Sequence, residues 1–220
     1  ESSVSGEEQC ANWQYADHEV HVTADVVYGI WHYYLATGDF EFLKMSAPVF
    51  IETSRYWMER MEFKDNGSAN LNGVMGPDEY VAFCNNSAYT NTMVSYALFA
   101  TLQLLDEIEQ KDDAYSLVLR NSFSIDEEEM RAYAMVAEKL PILKTDSGLI
   151  WQCEGFWNLE DVDFEEIWKD RSKPFGNCIS QERNYRSKAL KQADVLMLFH
   201  LFPSIFTKAQ LEENFRYYYP

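Results

Sequence analysis

The sequence predicts an all-α fold of antiparallel helix pairs, with long loops gathered on one face, and three observations predict it. Apolar residues recur at spacings of three and four along most of the chain. Helix start and stop signals bound those stretches. Segments that alternate as strands do are few, and 148–157 is the one expected to pair, briefly. About six helices result, joined by alternately short and long connections, as helix hairpins are.

Taken in order, residues 21–36 put Val22, Val26, Ile30, Tyr33 and Tyr34 on one face. Thr37-Gly38-Asp39 ends that helix: Gly38 suits a left-handed stop and Asp39 caps the next. The following helical stretch covers 40–62, and Pro48, which has no N–H to give, predicts a break inside it. From Lys64 to Tyr80 the chain is rich in turns, with Asn66-Gly67 and the run from Gly73 to Pro77. Residues 90–110 are the clearest amphipathic helix, lined by Val94, Leu98, Thr101, Leu105 and Ile108. Ser124, with Glu127 three residues on, has the capping-box form and opens a helix over 125–140 that Pro141 stops. Over 145–186 periodicity fades while Trp, Phe, Gly and Asn accumulate; so long a loop in a compact domain is usually functional. Helix returns over 188–202, and Thr207 with Gln210 caps a last one running towards Tyr217.

A length of 220 residues suits one domain or a piece of a larger one. Hydrophobic residues at 47% and charged ones at 25% make it globular. Acidic residues number 36 against 18 basic, a formal net charge of −18. Such a surface repels phosphate backbones and anionic lipid, so no nucleic-acid or membrane partner is expected. There is no apolar run long enough to cross a bilayer and no secretion-signal pattern, so a soluble, cytoplasmic protein is expected. Cys10, Cys84, Cys153 and Cys178 are scattered without Cys-x-x-Cys spacing, as reduced thiols are. His18 and His21 can share a helix face, but with no third ligand nearby no metal is expected. The Asn-x-Ser matches at Asn66 and Asn85 read as accidental. Aromatic residues at 15% suit sugar-binding clefts, where rings pack on a pyranose, or equally a core rich in large side chains. The chain starts at Glu1, so a processed N-terminus or a segment of a longer protein is expected.

Three clusters offer chemistry. In Gly76-Pro77-Asp78-Glu79-Tyr80 a rigid turn presents two adjacent carboxylates, and Asn85, Asn86, Tyr89, Thr90 and Asn91 follow. Neutral hydrogen-bonding surroundings suit a carboxyl group that must hold a proton near neutral pH, if desolvation outweighs nearby cations; a capped turn leading into the helix at 90 is the plainer alternative. Lys191-Gln192-Ala193-Asp194 lies on the strongly apolar helix of 188–202. There a lysine either snorkels to water or meets an anion. In His21-Val22-Thr23-Ala24-Asp25, polar side chains alternate with apolar ones at a helix start, as an N-cap or a binding rim would have them.

These clusters appear in a recognisable succession. HVTAD (21–25), TGDFEFL (37–43), ETSRYW (52–57), GPDEY (76–80) with AYTN (88–91), and KQADVLMLFHLFP (191–203) resemble the successive motifs of glycoside hydrolase family 65. That family contains maltose, trehalose and kojibiose phosphorylases and some hydrolases. The resemblance runs from about Asn12 to the C-terminus. It implies part of an (α/α)6 barrel with its active site at one end, and assigns the whole of 1–220 to one catalytic domain. It implies that Glu79 is the general acid, that Lys191 and Gln192 contact the donor sugar near phosphate, and that Thr23 lies close to substrate. His21 and Asp78, their neighbours in the motifs, are carried as further substrate-binding candidates. No metal or organic cofactor is implied, with inorganic phosphate as co-substrate and a disaccharide as substrate.

The residues agree with that chemistry. An inverting hydrolase needs two carboxylates, whereas an inverting phosphorylase needs only the acid, because phosphate is already an anionic nucleophile. One obvious acid and one well-placed lysine therefore favour phosphorolysis, and Glu154 in the aromatic loop is the residue that would make a base for hydrolysis. Val81, Cys84 and Ser87 depart from the family pattern at positions that line the acceptor side in relatives, which leaves linkage open. The family's Trp-Asp donor motif and its His-Asp-Ser-Ser phosphate motif have no counterpart, so the chain is expected to be the middle-to-late part of a barrel. Alone, it is expected to be inactive and to dimerise or aggregate through helix faces left uncovered. A family 65 hydrolase and a non-catalytic sugar-binding helical module are the alternatives.

Overall fold

The computed structural model describes residue 5, residues 15–65 and residues 67–219. Cys10, Asn12 and Asn66 of the expected Asn-Gly turn lie outside the described residues. The chain is mostly helical, and it divides into two compact units. One comprises residues 21–72 and 90–141, the other residues 1–20, 73–89 and 142–220.

The first unit is built on α2 (Val22–Thr37), α3 (Phe40–Arg60), most of α4 (Ala88–Lys111), α5 (Asp113–Phe123) and α6 (Glu127–Lys139), with a small antiparallel pairing of β1 (Glu62–Phe63) and β2 (Ala69–Asn70). Helix α2 packs on α3. Gly38 takes the left-handed stop, φ 68°, and the Asp39 carboxylate accepts from the Phe42 N–H, as expected. Val94, Leu98, Thr101, Leu105 and Ile108 are all buried, which puts the expected face of α4 in the core. Ser54 Oγ and Thr101 Oγ1, 2.8 Å apart, satisfy each other there.

Several expectations are corrected in this unit. On α2 the buried face is Ala24, Val27, Trp31 and Tyr34, while Val22 (52% exposed), Val26 and Tyr33 face outward. The helix is apolar on more than one side, so its period alone does not choose the face. Helix α3 runs unbroken through Pro48. The carbonyl that proline orphans, that of Lys44, instead accepts a hydrogen bond from the Tyr115 hydroxyl at 3.1 Å. Ser124 is the left-handed end of α5, a helix the periodicity did not reveal, and Asp126 caps α6 by accepting from the Glu129 N–H. His21 precedes α2 without a side-chain cap.

The second unit holds α1 (Tyr15–His18), α7 (Phe164–Ile167), α8 (Gln181–Tyr185), α9 (Asp194–Leu201) and α10 (Lys208–Tyr218), with α9 against α10. Both arms of the Thr207–Gln210 capping box are present. The expected strand at 148–157 is reduced to one antiparallel bridge, Lys144 with Ile150. At Ile150 the backbone turns to α10: its N–H donates to Asn214 Oδ1 (2.9 Å) and its C=O accepts from the Tyr218 hydroxyl (2.6 Å). Helix also starts later than expected near the C-terminus, at Asp194 rather than 188. Residues 187 and 188 are occupied in a parallel bridge to Glu160 instead. Lys191 and Gln192 therefore lie on the strap before α9, not on the helix.

Candidate active site

The turn at 76–80 is framed by a bridge between Val74 and Cys84, whose N–H and C=O groups exchange hydrogen bonds at 2.9 Å. Gly73 N–H donates to Asn85 Oδ1, which fixes the base of the turn. Gly76 is required by close approach: a Cβ there would collide with the Asp194 carboxylate and crowd Ser87 Oγ. Helix α9 presents Asp194 in its first turn, buried, where its Oδ2 accepts the Asp78 N–H at 3.1 Å.

Asp78 answers in kind. Its side chain is fully buried, and Oδ1 accepts from the N–H groups of Tyr80 (3.1 Å) and Lys191 (3.0 Å). Gln192 Nε2 donates to the Pro77 carbonyl at 2.7 Å. The turn and the strap, over a hundred residues apart in sequence, are thus laced together through backbone groups. From that lacing the side chains of Glu79 and Lys191 emerge and meet, Nζ to Oε2, at 2.8 Å.

Electrostatics separate the two adjacent acids. Burial pushes Asp78 up to about 6, although hydrogen bonds from the Tyr80 and Lys191 amides oppose it. Burial also holds Asp194 well above the usual carboxylate range. Glu79 is 40% exposed at its side chain and rests on a cation, so the desolvated surroundings expected around the acid belong to Asp78. The Glu79 hydrogen bond raises Lys191 above the ordinary lysine value, so Lys191 is a firm ammonium.

Two clefts flank this ion pair within the unit. Glu79 and Tyr80 line one of about 190 Å3 with Gly176, Asn184 and Tyr185. Lys191 and Gln192 line another of about 570 Å3 with His200, Tyr218 and Tyr219. Glu154 lines a third, of about 400 Å3, with Cys84 and Cys153, and its carboxylate accepts from Asn86 Nδ2 at 2.9 Å.

Of the residues singled out in the sequence, Glu79, Asp78, Lys191 and Gln192 are brought together. Asp78 is fully buried, and its Oδ1 is taken up by backbone N–H groups. His21 and Thr23 belong to the other unit, where His21 Nδ1 is 2.7 Å from Asp25 Oδ2 and Thr23 is exposed. Sequence reasoning named Asp194 within the Lys191–Asp194 cluster but gave it no role. Its signal was a single carboxylate opening a helix otherwise made of Val195, Leu196, Leu198 and Phe199. Among the described residues no group of three metal-ligating side chains gathers.

Residues 1–220 match the sequence model of the glycosyl hydrolase family 65 central catalytic domain over their whole length. The chain belongs to glycosyl hydrolase family 65. Its family 65 relatives include the kojibiose phosphorylase of Halothermothrix orenii, 33% identical over 207 residues, covering 92% of this chain and 26% of that protein. The 3-O-alpha-D-glucosyl-L-rhamnose phosphorylase of Lachnoclostridium phytofermentans is 34% identical over 223 residues, covering 99% of this chain and 28% of its own length. A solved human-microbiome structure assigned as a kojibiose phosphorylase matches with a TM-score of 0.84 at 28% identity, over 98% of this chain and 30% of that one. This family 65 chain therefore spans less than a third of the length of the relatives it matches.

Proposed function

We propose that this chain carries the acid-bearing part of an active site that cleaves a glucosyl disaccharide with inorganic phosphate, inverting the anomeric centre to give β-glucose 1-phosphate. The observation that carries the reading is the Glu79–Lys191 pair at 2.8 Å between two clefts. With substrate bound and the Lys191 ammonium turned to the anionic phosphate, Glu79 takes up a proton and gives it to the glycosidic oxygen as that oxygen leaves C1. A phosphate oxygen forms the new bond to C1 from the opposite face, and the hydrogen of the hydrogen phosphate restores the acid. Lys191 and Gln192 hold the glucosyl unit beside the incoming phosphate, where a fixed ammonium offsets charge that a protein of net −18 would otherwise repel. Thr23 and His21 are further candidates for sugar contact.

Support for phosphorolysis over hydrolysis comes from Glu154, which is engaged by Asn86 and lines a different cleft from Glu79. The curated relatives named above are phosphorylases, which agrees.

The test uses the full-length protein that carries this chain, with kojibiose, nigerose, maltose and trehalose. Phosphate-dependent release of glucose 1-phosphate is expected, and Glu79→Gln is expected to lower kcat by roughly 10²- to 10⁴-fold. Release of free glucose at a rate indifferent to phosphate would turn the assignment to a hydrolase. Full activity in Glu79→Gln would remove the acid altogether.

A further inference from the structure

The Glu79 turn and the Lys191 strap hold each other through two buried aspartates, each accepting an N–H from the opposite segment. Asp194 Oδ2 takes the Asp78 N–H, and Asp78 Oδ1 takes the Lys191 N–H. Two further bonds close the figure: Tyr80 N–H to Asp78 Oδ1 and Gln192 Nε2 to the Pro77 carbonyl. The backbone of Glu79 is thereby pinned on both sides, at Asp78 and at Tyr80, and the backbone of Lys191 is pinned directly. Gly76 leaves room for this, since a side chain there would strike the Asp194 carboxylate.

We infer that Asp194 is a positioning residue for the proposed reaction: it touches no reacting atom, and it sets where the Glu79 carboxyl stands relative to the Lys191 ammonium. This rests on Glu79 being the acid. Two features of Asp194 set it apart from an ordinary core residue. It is buried at 2% exposure, and among the described residues its second oxygen, Oδ1, has no hydrogen-bond partner, so its bond to the turn is what the fold obtains from an otherwise costly group. The bond it makes is also a single acceptor bond to a backbone N–H, which an amide oxygen can reproduce and a methyl or hydroxymethyl group cannot. Proton transfer is steep in geometry, because displacing a catalytic group by about 1 Å costs on the order of 100-fold in rate.

The experiment compares Asp194→Ala, Asp194→Ser and Asp194→Asn with wild type and Glu79→Gln in the full-length protein. Two readouts are taken: phosphorolysis kinetics, and amide hydrogen exchange of peptides covering 76–82 and 188–193. Asp194→Ala is expected to lower kcat by at least ~10-fold with KM for the disaccharide changed less than about threefold, and to speed exchange in both peptides. Asp194→Ser, small and polar, is expected to do the same and serves if the alanine variant does not fold. Asp194→Asn is expected to recover kcat to within about fivefold of wild type, with slow exchange in both peptides. Wild-type kcat and slow exchange in Asp194→Ser, or an Asp194→Asn variant no better than Asp194→Ala, would overturn the inference. Failure of the underlying reading looks different: Glu79→Gln would remain active while the exchange pattern of the Asp194 variants still reported the tether.

Discussion

Asp78 and Glu79 are adjacent, chemically almost alike, and placed in opposite environments by a single turn of chain. Asp78 is driven inside, where burial raises it to about 6 against an ordinary value of 3.8. A carboxyl whose folded value exceeds its unfolded one binds a proton more tightly when folded, so its contribution to stability is greatest below pH 3.8. That contribution falls as pH rises towards 6 and is constant above it. Asp78→Asn keeps an acceptor oxygen for the Lys191 and Tyr80 amides and removes the charge. Its stability relative to wild type is therefore expected to improve between about pH 4 and pH 6, by up to roughly 3 kcal/mol, and to stay level from pH 6 to 8. Urea unfolding at pH 4, 5, 6 and 7.5 measures this. A difference independent of pH would mean that Asp78 is not the group whose charge is buried.

Helices and loops show which signals are local. Helix α3 survives its proline because Tyr115 supplies the donor that Pro48 withholds from the Lys44 carbonyl. Tyr115→Phe is expected to cost about 1–2 kcal/mol in an otherwise wild-type background and much less alongside Pro48→Ala, which returns the N–H to the ladder. Equal costs in the two backgrounds, by denaturant melts, would show that the hydroxyl bond is incidental. That donor comes from 67 positions further along the chain, which is why the residues around Pro48 could only predict a break. The same limit explains the strand expected at 148–157: beyond one bridge its partners are scattered along the chain, among them the Asn85 and Ala88 backbone and the side chains of Asn214 and Tyr218. Where the stabilising group is a near neighbour in sequence, reading succeeds, as with Gly38, Asp39, the α4 face and the Thr207–Gln210 box. The candidate site divides likewise. Glu79, Lys191 and Gln192 take their expected roles from the motifs, whereas Asp194, though it stands in the same motif, bonds to a backbone N–H 116 residues away that no local pattern reveals.

At the scale of the whole molecule, the matched relatives are more than three times as long as this chain, so the proposed reaction is expected to call on more residues than these 220. The 220 residues alone are expected to give no glucose 1-phosphate from kojibiose, maltose or trehalose with phosphate, by a coupled assay sensitive to about 10⁻⁴ of a typical kcat. Turnover by the isolated chain would show that a complete reaction centre lies within it. Among the described residues no helix is long and apolar enough to cross a membrane.

Neither compact unit is a continuous length of chain: the polypeptide passes from one to the other after residues 20, 72, 89 and 141. On the ribosome this imposes an order. Asp78 and Glu79 emerge long before the strap that completes their surroundings, and more than a hundred further residues must be synthesised before Lys191 and Asp194 arrive. A nascent chain halted in the aromatic loop would carry a polar turn with no native partner, and such long-range closure is slow. Chaperone dependence of the acid-bearing unit during translation would be a direct legacy of that interleaving.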